Sequence, residues 1–310
     1  MATITKLKAE VNNNNLPILG NDGKLYNYYA GRYANKMADY GHSLSVSELN
    51  AVNAFVEDGI NNGWIEMVRY MMPFLGTRDT PITGIIPLID NIADYELAEE
   101  NVDESAFTYS ASGRITALGN PSSNVGKIKL PFSSVDLPDK DFSPFINLNY
   151  TADMIDGLLS QNLSGTLGIY DYTESSLNAS IRWSNINKRL ELTRRPIAGA
   201  DIVTNGISGT KRESVAQCNV FYSVYHDGES TPHFKRFVAT KGVTTPDSID
   251  VNGSVTATDF LQGTYILGYS VNKIIVPMNM VAVLNPNLAN KVTLDAFSKA
   301  VFNLTTALGR

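Results

Sequence analysis

Cysteine, histidine, long apolar runs and surplus positive charge are all scarce or missing in this chain, and each absence narrows what it can be. The single cysteine, Cys218, excludes an intrachain disulfide framework. It sits in Ala216-Gln217-Cys218-Asn219-Val220-Phe221, the opening of a strand pattern, and reads as a buried or half-buried thiol rather than a nucleophile. Only His42, His226 and His233 are available as imidazoles. His226 and His233 flank an expected hairpin turn and, with Asp227 or Glu229, could approach a metal. Without a third fixed ligand they read as exposed turn residues. A Gly-x-Ser-x-Gly elbow, a phosphate-binding glycine loop and a His-Glu-x-x-His helix are all absent. Carboxylate pairs for glycoside hydrolysis leave no sequence signature, and no particular pair stands out. No catalytic residue, cofactor or metal is therefore expected, and the chain is expected not to be an enzyme.

Net charge is −6 with a pI near 5.2, which disfavours a general grip on nucleic-acid phosphates. The short basic clusters, Lys188-Arg189, Arg194-Arg195 and Lys211-Arg212, read as solvated strand edges and loops. No apolar run approaches a membrane span, and the polar first residues lack the apolar stretch of a secretory leader. Synthesis and folding in a cytoplasm are expected. Hydrophobic content of 43% and charged content of 18% fit a globular chain with ample core.

Between these absences lies a clear order along the chain. Residues 1–42 read as an attachment arm: Asn12 to Asn15 is a polar tract, and Gly20-Asn21-Asp22-Gly23 is turn chemistry. Tyr26, Tyr28, Tyr29, Tyr33 and Tyr40 supply amphipathic area suited to assembly contacts. Residues 43–105 read as a helical segment and connection packed on the next domain. Ser45 and Glu48 have capping-box spacing, and Leu49, Val52, Phe55, Val56 and Ile60 share a helical face. Asn61-Asn62-Gly63 stops that helix. The pattern predicts a second short helix over 64–72, ended by Pro73. Trp64 could stack on a ligand but reads as core beside its Met, Phe and Leu neighbours. Pro87 demotes Ile85–Ile89 to an edge strand or loop. Glu96, Glu99, Glu100, Asp103 and Glu104 read as a solvated acidic loop.

Residues 106–292 read as a β-sandwich. Strands are predicted at 127–132, 145–150, 165–172, 177–183, 188–193, 219–225, 233–240 and 264–271, with turn residues between them. Ile181 and Trp183 share one face, as do Leu190 and Leu192, with 184–187 as the hairpin turn. So many short antiparallel candidates imply a two-sheet sandwich or jelly roll. Residues 293–310 form an amphipathic docking helix: Leu294, Phe297, Val301, Leu304 and Leu308 make one stripe, Thr293 is the expected N-cap and Gly309 the C′ residue. The fold class is thus mainly β, an antiparallel sandwich bracketed by helices, with 43–310 one domain.

Certain segments resemble a family of tailed-bacteriophage virion proteins, crAss-like or related, found especially in phages of Bacteroidetes hosts. They are the capped helix Ser45–Ile60, the Gly63-Trp64-x-x-Met67 step, Tyr70-Met71-Met72-Pro73-Phe74-Leu75-Gly76, Tyr109-Ser110-Ala111-Ser112-Gly113 leading to Gly119-Asn120-Pro121, and the closing 302–310. The sequence departs from that pattern at Gly84-Ile85-Ile86-Pro87-Leu88-Ile89-Asp90. The resemblance implies a concanavalin/laminin-G-like jelly roll and a structural role in the virion as fibre, tail-attached or capsid decoration protein. It also implies attachment to capsid, neck or tail proteins through the arm. A homo-oligomer, most simply a trimer, is expected. The family has no agreed catalytic residues to carry over. A host-surface glycan is the further expected partner, with Tyr170, Tyr172, Tyr225, His226 and Asp227 as the candidate contacts. A polysaccharide depolymerase is the remaining alternative.

Overall fold

A computed structural model of the chain describes residues 17–19, 23–75, 85–92, 136–137, 143–149, 263–270 and 278–310, together with the strands given below. The first strands, β1 (Ile18–Leu19) and β2 (Leu25–Tyr26), form a two-stranded hairpin. Helices α1 (Tyr28–Asp39) and α2 (Val46–Asn61) follow. A 3-10 turn, Ile65–Met67, leads into β3 (Val68–Met72), and β4 is Ile89–Asp90. Next come β5 (Phe107–Tyr109), β6 (Ile115–Leu118), β7 (Gly126–Ser133) and β8 (Pro144–Asn149). They are followed by β9 (Leu167–Tyr170), β10 (Leu177–Ser184), β11 (Arg189–Arg194) and β12 (Val203–Gly206). The last strands are β13 (Gln217–Tyr225), β14 (His233–Thr240), β15 (Asp247–Asp250), β16 (Thr264–Ser270) and β17 (Met278–Leu284), before helix α3 (Lys291–Ala307).

Beyond the β1–β2 hairpin, the described strands form two antiparallel sheets. One has six strands in the order β12-β11-β10-β9-β16-β7. The other has nine, in the order β15-β14-β13-β8-β17-β3-β4, with β6 pairing β17 and β5. From β7 to β17 the chain passes repeatedly between the sheets, as in a jelly roll. The two meet face to face where the Tyr70 ring of β3 contacts Phe132 of β7 at 5.1 Å, and Phe132 contacts Tyr265 of β16 at 5.3 Å. The other face of the nine-stranded sheet carries the helices. Alternation along each strand assigns Phe145, Phe221, Met280, Ala282 and Leu284 to this helical face, where they join one core cluster with α1, α2 and α3. The mainly β, helix-bracketed sandwich expected from the pattern is the observed architecture.

Hairpin register follows the sequence reading at β10–β11, where Ile181 pairs Leu192 and Trp183 pairs Leu190. Other elements differ. Residues 68–72, expected as a helix, form a strand buried at every position. A strand with both faces covered shows no alternation, so a continuous apolar run reads equally well as helix. β17 is buried throughout for the same reason and gives no alternating signal. Helix α3 begins after Asn290, whose side chain accepts from the backbone N–H groups of Val292 and Thr293. Thr293 instead supplies the reciprocal capping-box contact from N3.

The boundary of the expected arm also moves. α1 packs against α2, with Tyr29, Ala30, Tyr33 and Met37 in the shared core. The arm therefore does not extend through residue 42: an amphipathic helix with this apolar face is stabilised by burying it on the fold.

Candidate functional site

Helix α2, the Trp64 step after it, the exit of β3 and the end of α3 meet in the helical layer. Ser45 caps α2 by accepting from the Glu48 backbone N–H, while the Glu48 carboxylate accepts from the Ser45 N–H at 2.8 Å. This aims Leu49, Val52, Phe55 and Val56 at the sheet, whereas Ile60 stays 38% exposed. The α2 helix ends at Asn61, Asn62 caps it, Gly63 follows with positive φ, and the next residue, Trp64, is completely buried. Its ring lies 4.7 Å from Phe55 and 4.9 Å from Phe297, and Phe297 lies 4.6 Å from Phe145. The indole Nε1–H donates to Asp58 Oδ1 at 2.8 Å, which satisfies its one polar atom. At the far end of α3, Arg310 donates to the Pro73 and Phe74 carbonyls at 2.7 and 3.0 Å.

Two buried polar groups flank this layer. On the helical face of the sheet, Asn147 of β8 donates to Asn219 of β13, and Asn279 of β17 donates to Asn147 Oδ1 at 2.6 Å. Asn219 then donates to the Ser298 carbonyl of α3 at 3.2 Å. This amide ladder crosses three strands and ties α3 to them.

At the β3–β4 edge, Tyr70 and Asp90 are direct cross-strand partners. Arg32 of α1 approaches the buried Asp90 carboxylate at 4.0 Å. Tyr29 donates to Asn91 Oδ1 at 2.9 Å, and Asn91 donates to the Val68 carbonyl at 2.8 Å. Burial, and then the nearby Asp90 charge, push the Tyr70 hydroxyl well above its ordinary value of 10.0, so it stays protonated. Carboxylate, phenol and guanidinium are residue types that acid–base chemistry uses. Here they join α1 to the sheet. The cavity of about 200 Å³ between α2 and α3 is lined instead by Ala51, Ala54, Phe55, Asp58, Ala300 and Leu304, among others.

The expected assembly tyrosines divide. Tyr26, Tyr29 and Tyr33 are 4%, 5% and 1% exposed and belong to the chain's own core, so they are not available to a partner. Tyr28 is half-buried against that core, and Tyr40 is exposed. Of the glycan candidates, Tyr170 ends β9 in the six-stranded sheet and Tyr225 ends β13 in the nine-stranded sheet, so the fold puts them on different sheets. Tyr172, His226 and Asp227 lie outside the described residues, as does the acidic run 96–104. Among the described residues no cluster of His, Cys, Asp or Glu could hold a metal ion, and no helix is long and apolar enough to cross a membrane. The asparagine ladder and the Tyr70–Asp90 pair carry no sequence signal, because each forms only when distant strands pair.

No family model and no curated protein matches the chain. Solved structures do. One is a family 7 alginate lyase, A1-II′, in complex with product: 10% identity, 71% of this chain and 92% of that chain covered, TM-score 0.31. A second structure of alginate lyase A1-II′ matches at 9% identity over 72% of this chain and 98% of its own, TM-score 0.32. Arcelin-5, a lectin-like defense protein from Phaseolus vulgaris, matches at 8% identity over 58% of this chain and 91% of its own, TM-score 0.31. The expectation that the chain is not an enzyme is corrected on this finding, since enzymes stand among its structural neighbours. At these identities and TM-scores the likeness assigns neither an activity nor a site.

Proposed function

We propose that the chain is a structural component of a tailed-bacteriophage virion, a fibre, tail-attached or capsid decoration protein, held in the particle through residues that precede α1. One observation supports this reading above the others: four of the segments that resemble the virion family, 45–60, 63–67, 70–75 and 302–310, converge in one layer. Trp64 and Phe297 share a core at 4.9 Å, and Arg310 reaches the carbonyls of Pro73 and Phe74. Residues distant in sequence that resemble one family and also pack together behave as one structural unit. Capsid, neck or tail proteins and further copies of the chain, most simply three, are the partners of this reading.

The test is particle composition. Mass spectrometry of density-purified phage should find the full-length chain at a fixed ratio to the major capsid protein. Its absence from purified particles would overturn the proposal. A chain lacking residues 1–16 keeps every core residue described above, so it should fold, as read by circular dichroism, yet fail to enter particles. Normal incorporation of that shorter chain would remove the attachment role of the N-terminal residues.

A further inference from the structure

We propose that Arg310 and Phe74 form a conformational latch joining the end of α3 to the exit of β3. Phe74 has φ of 51°, a left-handed backbone, and is the one non-glycine residue with positive φ among those described. A bulky side chain disfavours that conformation, which persists only where its surroundings hold it. Two things hold it here. Its ring is completely buried, and the carbonyls on both sides of the Pro73–Phe74 step accept from the two nitrogens of one guanidinium, at 2.7 and 3.0 Å.

The guanidinium is itself aimed by a helix-ending motif. Gly309 takes φ of 69° and donates to the Thr306 carbonyl at 3.0 Å, while the Arg310 N–H returns to the Thr305 carbonyl at 2.8 Å. This is the Schellman pattern, and it fixes the Arg310 backbone over the β3 exit. Each left-handed element is thus locked through the other, by a contact between Arg310 and Phe74, 236 residues apart. The planar fork matters, because an ammonium is a single point charge without that fixed pair of donors. With the latch open, residue 74 relaxes from its left-handed form and the last turn of α3 loses its tie to the sheet.

Hydrogen exchange tests the coupling. Arg310→Ala should speed exchange roughly tenfold or more in both 70–75 and 304–310, with Arg310→Lys in between. In a Phe74→Gly background, where positive φ carries no strain, the same Arg310→Ala change should alter exchange at 70–75 by less than about twofold. Loss of the buried ring is common to both chains that carry Phe74→Gly and cancels in that comparison. Unchanged exchange in Arg310→Ala, or an equal effect in both backgrounds, overturns the latch. If the Phe74→Gly chain does not fold, the Cα and Cβ chemical shifts of residue 74 decide in Arg310→Ala alone. A move away from left-handed values supports the latch, and unchanged values overturn it.

Discussion

The Trp64 indole fills the space that a side chain on Gly59 would need: a Cβ at position 59 would lie 2.9 Å from both Cζ2 and Cη2. The two residues face each other because α2 ends at Asn61 and the chain turns back beneath its last turn.

This contact reverses the ordinary expectation for a helical glycine. In an open helix Gly→Ala gains about 1 kcal/mol. Gly59→Ala has to move an indole anchored by Asp58 and packed between Phe55 and Phe297. Overpacking of that kind costs about 1–3 kcal/mol, so a net loss of stability is expected. Urea denaturation measures it, and a variant as stable as the parent would show that the indole yields easily.

The asparagine ladder makes a second prediction. Asn219→Ala removes the acceptor of the Asn147 amide and the donor to the Ser298 carbonyl, two bonds of a buried network. The expected cost is about 1–3 kcal/mol. Because the ladder ties α3 to the sheet, hydrogen exchange in 294–304 should rise more than in α2. Equal protection in both helices would count against that tie.

What the sequence made legible depends on where each signal is local. The capping box of Ser45 and Glu48, the Gly63 stop and the Leu294–Leu304 stripe depend on neighbours within a few turns, and they appear as expected. β3 and β17 are covered on both faces of the nine-stranded sheet, so apolar residues point both ways and periodicity vanishes. Tyr29 and Tyr33 illustrate the same limit. Tyrosine serves an interface and a core through one chemistry, and only the docking of α1 on α2 decides between them. The Tyr70–Asp90 pair needs β3 and β4 to align, which no local pattern announces.

The helix caps separate the sequence expectation from the observed start of α3. Asn290→Ala removes the side chain that accepts from Val292 and Thr293, and should cost about 1 kcal/mol. Thr293→Ala removes the reciprocal contact to the Asn290 N–H and the hydroxyl's bonds to the Leu288 and Asn290 carbonyls, but leaves the Val292 and Thr293 N–H groups capped, and should cost less. Thermal unfolding of both variants gives the order, and a larger loss at Thr293 would move the cap back to that residue.

Tyr70 makes a prediction about alkaline pH. Its hydroxyl is buried, has no hydrogen-bond partner among the described residues, and is held well above 10.0 by burial and by Asp90. A raised folded-state value favours the neutral form, so the native state resists losing this proton while the unfolded chain gives it up near 10.0. The contribution is therefore fully present below about pH 10 and is lost as pH rises from there toward the folded-state value. Tyr70→Phe cannot ionise, so its stability should fall less steeply than that of the parent above about pH 10. At neutral pH the same change removes an unsatisfied hydroxyl and keeps the ring against Phe132, so stability should hold or rise by about 1 kcal/mol. Urea midpoints of the two chains from about pH 7 to pH 11 test both halves together. Parallel alkaline limbs would mean that Tyr70 ionises as readily folded as unfolded, and a loss at neutral pH would mean that its hydroxyl is already satisfied.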